Sequence, residues 1–181
     1  GDFPMKEAHR QAVAYAAESG ALVSFDPNLR FALWESTDAL KAVVREFAPM
    51  AHVLKISDEE LEFITGHTDI KEALPALLAG NTKLVIYTKG SEGAECYTRH
   101  ARAFAPGAKV KAVDTTGAGD GFIGSFLYCL SADGVTVDSL GQLAQGQMER
   151  YLSFANKFCG KSVMGHGAIA SYPTKEEMDA Q

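Results

Sequence analysis

Three short apolar runs, at residues 21–25, 51–56 and 83–88, are separated by segments whose apolar side chains recur at helical spacing. Runs of five or six such residues, bounded by Gly20, by Asp26-Pro27-Asn28 or by Ser57, fit buried strands. Strands alternating with helices in this way predict an α/β fold, with a mostly parallel sheet covered by helices on both faces. Helices are expected over residues 4–19, 36–48, 57–65, 70–79, 118–131 and 138–158, with Ser36 as a cap and Gly66 as a stop. Pro75 puts the middle of the fourth segment in question. Residues 95–98 and 101–105 suit a hairpin around Arg99-His100, and 109–113 reads as a weaker strand. With 181 residues, 46% of them hydrophobic, one domain over 1–181 is the default.

The chain carries 17 basic and 23 acidic residues, a formal net charge of −6, which argues against a surface that holds nucleic acid. It does not argue against a small phosphorylated ligand, because a helix N-terminus binds phosphate through backbone amides. Cys96, Cys129 and Cys159 lie far apart with no C-x-x-C pair, so they are expected as buried free thiols. No apolar run approaches the ~18 residues of a membrane span. A soluble, cytoplasmic setting without a membrane partner is the expectation.

The chemistry concentrates at Val113-Asp114-Thr115-Thr116-Gly117-Ala118-Gly119-Asp120, which leaves an expected strand and enters an apolar helix. The free amides of such a helix start point outward, and small residues let a phosphate oxygen approach them. Asp120 falls in the first helical turn, where it could accept the proton of an attacking hydroxyl. Two overlapping motifs fail on context. Gly119-Asp-Gly121-x-x-Gly124 matches G-x-G-x-x-G but lies inside the helix pattern rather than between strand and helix, so Gly121 and Gly124 read as packing positions. Gly160-Lys161-Ser162 resembles the end of a Walker A loop, but Ala155 replaces the earlier glycine and a helix precedes it.

Asp-Thr-Thr-Gly-Ala-Gly-Asp over residues 114–120 resembles the second signature of the PfkB/ribokinase family of sugar kinases. The resemblance implies that Gly117, Ala118 and Gly119 form an anion hole for the transferring phosphoryl group, with Asp120 as general base. Phe25-Asp26-Pro27-Asn28-Leu29-Arg30 is similar to a stretch common among the fructokinase-like members, which implies that Asp26, Asn28 and Arg30, with Asp120, meet the sugar. Lys55-Ile-Ser57-Asp-Glu-Glu60 resembles the family's N-x-x-E segment, with Ser57 in the place of asparagine. Glu60 would then organise magnesium through water. Ser57-x-x-Glu60 is also a capping box, and both roles stay open. Tyr87-Thr88-Lys89-Gly90-x-x-Gly93 resembles the strand and turn beside the nucleotide, and Asn156 and Gly165-His166-Gly167-Ala168 resemble elements that flank the adenine. Lys89, Gly90, Gly93, Thr115, Asn156 and Gly167 are therefore the expected nucleotide contacts. Asp114 and Thr116, with the backbone near Gly167–Ser171, correspond to a monovalent-cation loop, which adds K+ to ATP and Mg2+ as expected cofactors.

The resemblance implies a ribokinase-like fold and an ATP-dependent sugar kinase, with fructose the favoured acceptor and a homodimer in the full-length protein. A kinase for ribose, a nucleoside or 2-keto-3-deoxygluconate is the alternative of the same class. A truncated, catalytically silent nucleotide- or partner-binding domain is the alternative of another. In this family the N-terminal part supplies most sugar contacts and a small strand lid, so the chain is expected to be the C-terminal portion and to be inactive alone.

Overall fold

Helices and strands alternate as far as residue 88, apart from two successive helices before the third strand, in the computed structural model, which describes residues 4–180. The elements are α1 (Pro4–Glu18), β1 (Ser24–Phe25), α2 (Thr37–Phe47), β2 (Val53–Ser57), α3 (Asp58–Thr65), α4 (Ile70–Leu77) and β3 (Leu84–Thr88). They continue with β4 (Gly93–Tyr97), β5 (Arg102–Pro106), α5 (Ala118–Ala132), α6 (Val137–Leu140), α7 (Gln145–Ser162) and α8 (Lys175–Asp179). The five strands form one sheet in the order β1-β2-β3-β4-β5. β1 and β2 are parallel, with Ser24 opposite Val53 and Phe25 opposite Leu54. The links 89–92 and 98–101 are too short for a parallel crossover, so the hairpin side of the sheet is antiparallel and the whole is mixed.

The contacts group into two units. The first comprises residues 1–87, 97–100 and 136–142, the second 88–96, 101–135 and 143–181. In the first, Leu40 and Val44 of α2, Leu54 and Ile56 of β2, Leu61 and Ile64 of α3, and Val85 of β3 share one buried core. Local signals set its helix ends. Ser36 accepts the Ala39 amide at 3.1 Å to start α2, and Gly66 closes α3 in the left-handed conformation, at φ 81°. α4 runs through Pro75, two residues before its end, where the missing N–H forfeits one backbone bond.

In the second unit, α5 and α7 pack together, and α7 also covers β5. Phe126 of α5 meets Tyr151 of α7 edge to face, with ring centroids 5.7 Å apart.

Several expectations are corrected. Residues 109–113 form no strand: all five are exposed, so nothing buries the apolar side of the alternation, although the Val113 amide bonds the Val163 carbonyl at 2.7 Å. The helix expected over 138–158 is two helices. Gly141 ends α6, and extended Ala144, at ψ 150°, starts α7, while Leu143 stays buried in the break. Of the two glycines read as packing positions, Gly121 is one and Gly124 is not: a Cβ on Gly121 would lie 3.1 Å from Phe158, whereas one on Gly124 would meet nothing within 4 Å. All three cysteines are free, but only Cys96 is buried. No helix among the described residues is long and apolar enough to cross a membrane.

Candidate phosphoryl-transfer site

The second unit holds the glycine-rich turn. Gly117 occupies the N-cap of α5 in the left-handed conformation, φ 75° and ψ 4°, which any side chain with a Cβ adopts at a cost. Its carbonyl accepts the Gly121 amide at 2.8 Å, and the Thr115 carbonyl accepts the Ala118 amide at 3.1 Å. The next amides, of Gly119 and Asp120, belong to the first helical turn, which has no carbonyl within the helix to bond. They carry the positive end of a 15-residue helix. Asp120 is exposed there and lines a groove of about 440 Å³ together with Gly121, Tyr128, Phe158 and Tyr172. The turn therefore joins anion-binding donors to a carboxylate that can take a proton.

Asp114 braces this turn from behind. One oxygen accepts the Thr116 amide and the other the Gly167 amide, both at 2.9 Å. Hydrogen bonds from Thr116, through side chain and backbone, and from the Gly167 backbone hold its carboxyl at about 2. The structure thus brings Asp114 and Gly167 together, as the cation-loop resemblance implies, with both carboxylate oxygens already engaged by amides.

The expected nucleotide contacts divide. Lys89 pairs with Glu95 at 2.8 Å and lies over the Phe104 ring, while Arg102 reaches the other Glu95 oxygen at 2.9 Å. Gly93, at φ 111°, is fixed by packing, since a Cβ there would fall 2.2 Å from the Ala105 carbonyl oxygen. Gly90 and Gly167 also have positive φ, 51° and 87°. The side-chain amide of Asn156 donates to the carbonyls of Ala105 and Pro106, both at 3.0 Å, so it ties α7 to the end of β5.

The first unit carries the other cluster, at the C-terminal ends of β1 and β2. Lys55 meets Asp26 Oδ2 at 2.9 Å, with both side chains largely buried. Burial drives the Asp26 carboxyl above its ordinary value, and the Lys55 charge offsets only part of that. Asp26 Oδ1 is buried with no hydrogen-bond partner among the described residues. Asn28 has the left-handed φ of 43°, and exposed Arg30 donates to the Leu29 carbonyl at 3.2 Å. Glu60 accepts the Leu29 amide at 3.0 Å on one oxygen and the Ser57 amide at 2.9 Å on the other. It therefore pins the 26–30 loop to the start of α3 as well as capping the helix.

Each Glu60 oxygen keeps a second acceptor site, and Asp26 Oδ1 keeps all of its own. Among the described residues no group of three or more His, Cys, Asp and Glu could hold a metal. One or two carboxylates and water fit the magnesium habit, in which phosphates complete the shell. Sequence reasoning gave no role to Lys55, Tyr172 or Cys159. A lysine inside the apolar run of β2 was the readable signal for the first; the others become visible only once residues distant in sequence are brought together.

The model of the pfkB family carbohydrate kinases matches residues 2–175. The chain belongs to the pfkB family of carbohydrate kinases. A relative named probable fructokinase-5, from Arabidopsis thaliana, is 38% identical over 172 residues, which is 94% of this chain and 52% of the relative. A fructokinase from Xylella fastidiosa, solved with bound ATP, superposes with a TM-score of 0.90 at 26% identity, over 98% of this chain and 56% of its own. A double mutant of the Vibrio cholerae O395 fructokinase, solved with fructose, ADP and potassium, gives a TM-score of 0.86 at 34% identity, over 97% and 55%. The α/β, ribokinase-like expectation holds. This pfkB chain spans about half the length of the curated relatives it matches. Such coverage is equal for either end of a relative, so the expectation of a C-terminal portion rests on the motif resemblance alone.

Proposed function

We propose that the full-length protein is a cytoplasmic fructokinase that transfers the γ-phosphoryl group of ATP to a hydroxyl of fructose. The observation that carries this reading is the left-handed Gly117 cap, which starts α5 so that its unbonded first-turn amides share one turn with Asp120, a residue that lines a groove. Relatives named fructokinases support the acceptor, and neighbours solved with ATP or with fructose and ADP support the donor.

The amides of Gly119 and Asp120 hold the migrating phosphoryl group, where fixed donors need no reorganisation as charge develops. The sugar oxygen bonds to the γ-phosphorus as the bond to the β-phosphate oxygen breaks, ADP leaves, and Asp120 takes the hydroxyl proton. Glu60 is the carboxylate that would organise Mg2+ through water, and the charge of that ion would screen the phosphates. Asp114, Thr116 and the Gly167 backbone would hold K+. Asp26, Asn28 and Arg30 are the sugar contacts of the first unit. Lys89, Gly90, Gly93, Thr115, Asn156 and Gly167 are the nucleotide contacts of the second, with Asn156 and Gly93 acting through the backbone they fix.

The test is ADP release by the full-length protein with ATP and, in turn, fructose, ribose, a nucleoside and 2-keto-3-deoxygluconate. Fructose should give the highest kcat/KM. A higher value with another acceptor overturns the choice of sugar, and acceptor-independent ADP release overturns the kinase reading.

A further inference from the structure

Two side chains that the proposed chemistry does not use hold the glycine-rich turn from outside. The Tyr172 hydroxyl donates to the Gly117 carbonyl at 2.8 Å. The Cys159 thiol donates to the Ala118 carbonyl at 3.1 Å. Tyr172 is itself well seated. Its ring meets Phe158 edge to face at 5.2 Å, and a Cβ on Gly121 would approach that ring to 3.2 Å. A Cβ on Gly117 would approach the hydroxyl to 3.1 Å. The Ser171 hydroxyl just before it bonds the carbonyls of Gly167 and Ala168, and Gly167 in turn bonds Asp114.

We infer that Tyr172 is a positioning residue for the anion cradle, clamping the Gly117 carbonyl so that the amides following it stay aimed at a phosphate. A trans peptide is planar, with its C=O and N–H pointing opposite ways. Fixing a carbonyl on the inner side therefore fixes the direction of the next amide. The Cys159 bond does this for the peptide that carries the Gly119 N–H. The Tyr172 bond holds the peptide before, whose Ala118 N–H bonds the Thr115 carbonyl, so the turn from which the Gly119 and Asp120 amides start is held at both ends of that peptide. Gly117 has the widest conformational freedom of any residue type, so an unheld turn would sample several amide directions. The Gly117 carbonyl already closes the first bond of α5 to Gly121, and the phenol occupies its second acceptor site. Burial and the neighbouring Asp120 charge keep the phenol above its ordinary value, hence protonated and able to donate.

This role rests on the cradle reading, and the test separates the two. Tyr172→Phe removes the hydroxyl and keeps the ring against Phe158 and Gly121. Tyr172→Leu is the second variant, keeping an apolar side chain without the ring. In the 15N-labelled 181-residue chain, amide exchange and chemical shifts of residues 117–121 report the clamp, and inorganic phosphate titrated against the Gly119 and Asp120 amides reports the cradle. Tyr172→Phe should speed Gly121 amide exchange about 5-fold and weaken phosphate binding about 5-fold, the equivalent of ~1 kcal/mol for one neutral hydrogen bond. Exchange at Leu152, in the middle of α7, should be unchanged. If the parent chain binds no phosphate at those amides, the cradle reading fails, and the exchange data alone still decide the clamp. Unchanged exchange and shifts at 117–121 in Tyr172→Phe, or a change spread evenly through α7, overturns the positioning role.

Discussion

Replacing Gly117 by alanine should damage the protein while the same replacement at Gly124, two turns along the same helix, should strengthen it. At Gly117 the left-handed φ of 75° penalises a Cβ by ~1–2 kcal/mol. That Cβ would also sit 2.7 Å from the Ala168 Cβ and 3.1 Å from the Tyr172 hydroxyl, and overpacking of this kind adds ~1–3 kcal/mol. The sum is about 2–5 kcal/mol, or a melting temperature lower by roughly 4–20 °C for a chain of this size. Gly124 has helical backbone and nothing within 4 Å of its Cβ position, so alanine there gains helix propensity of about 0.5–1 kcal/mol and roughly 1–4 °C. Thermal denaturation followed by circular dichroism on the two variants and the parent measures both signs. A Gly117→Ala variant as stable as the parent, or two variants shifted alike, would refute the reasoning.

Asp114 should make the second unit acid-sensitive in a low window: its folded value of about 2 lies below the ordinary aspartate value, so its contribution is full above about pH 4 and disappears as pH falls through about 2. The melting-temperature gap between the parent and Asp114→Asn, scanned from pH 7 to 2, should be flat and then close. Glu60→Gln should lower the melting temperature by roughly 2–12 °C, because one of two backbone amides then faces an NH2 group and is left unsatisfied, at ~1–3 kcal/mol. Asn156→Asp should be less stable than Asn156→Ala in the same measurement, since a carboxylate would face the carbonyls of Ala105 and Pro106 with no proton to give.

Helix ends and the hairpin were legible because their signals are local: Ser36, Gly66 and the Ser57–Glu60 spacing each act within four residues. The weaker strand at 109–113 failed for the opposite reason. Alternation of Lys and Val marks a strand only where a partner covers one face, and here none does. The split between α6 and α7 turns on Gly141 and extended Ala144, and alanine gives no hint of an N-cap. In the site, the Gly117–Asp120 turn could be read directly, because the glycine conformation and the helix start are both written into seven residues. The destinations of Asn156, Lys89 and Glu60 could not. Each bonds a group defined by the fold, a strand end for Asn156, the Glu95 carboxylate for Lys89 and the Leu29 amide for Glu60, and no local pattern names those partners. Tyr172 lies 55 positions from the carbonyl it bonds, a separation no local pattern bridges.

Asp120 carries the central claim, and the full-length protein with Asp120→Asn tests it most directly. Single-turnover phosphorylation of fructose and nucleotide affinity should be measured on the same preparations. The account predicts a rate lower by ~100 to 10,000-fold, as expected for loss of a general base, with ATP affinity within about 2-fold of the parent because the carboxylate acts on the hydroxyl rather than the nucleotide. An unchanged transfer rate with Asp120→Asn would contradict it.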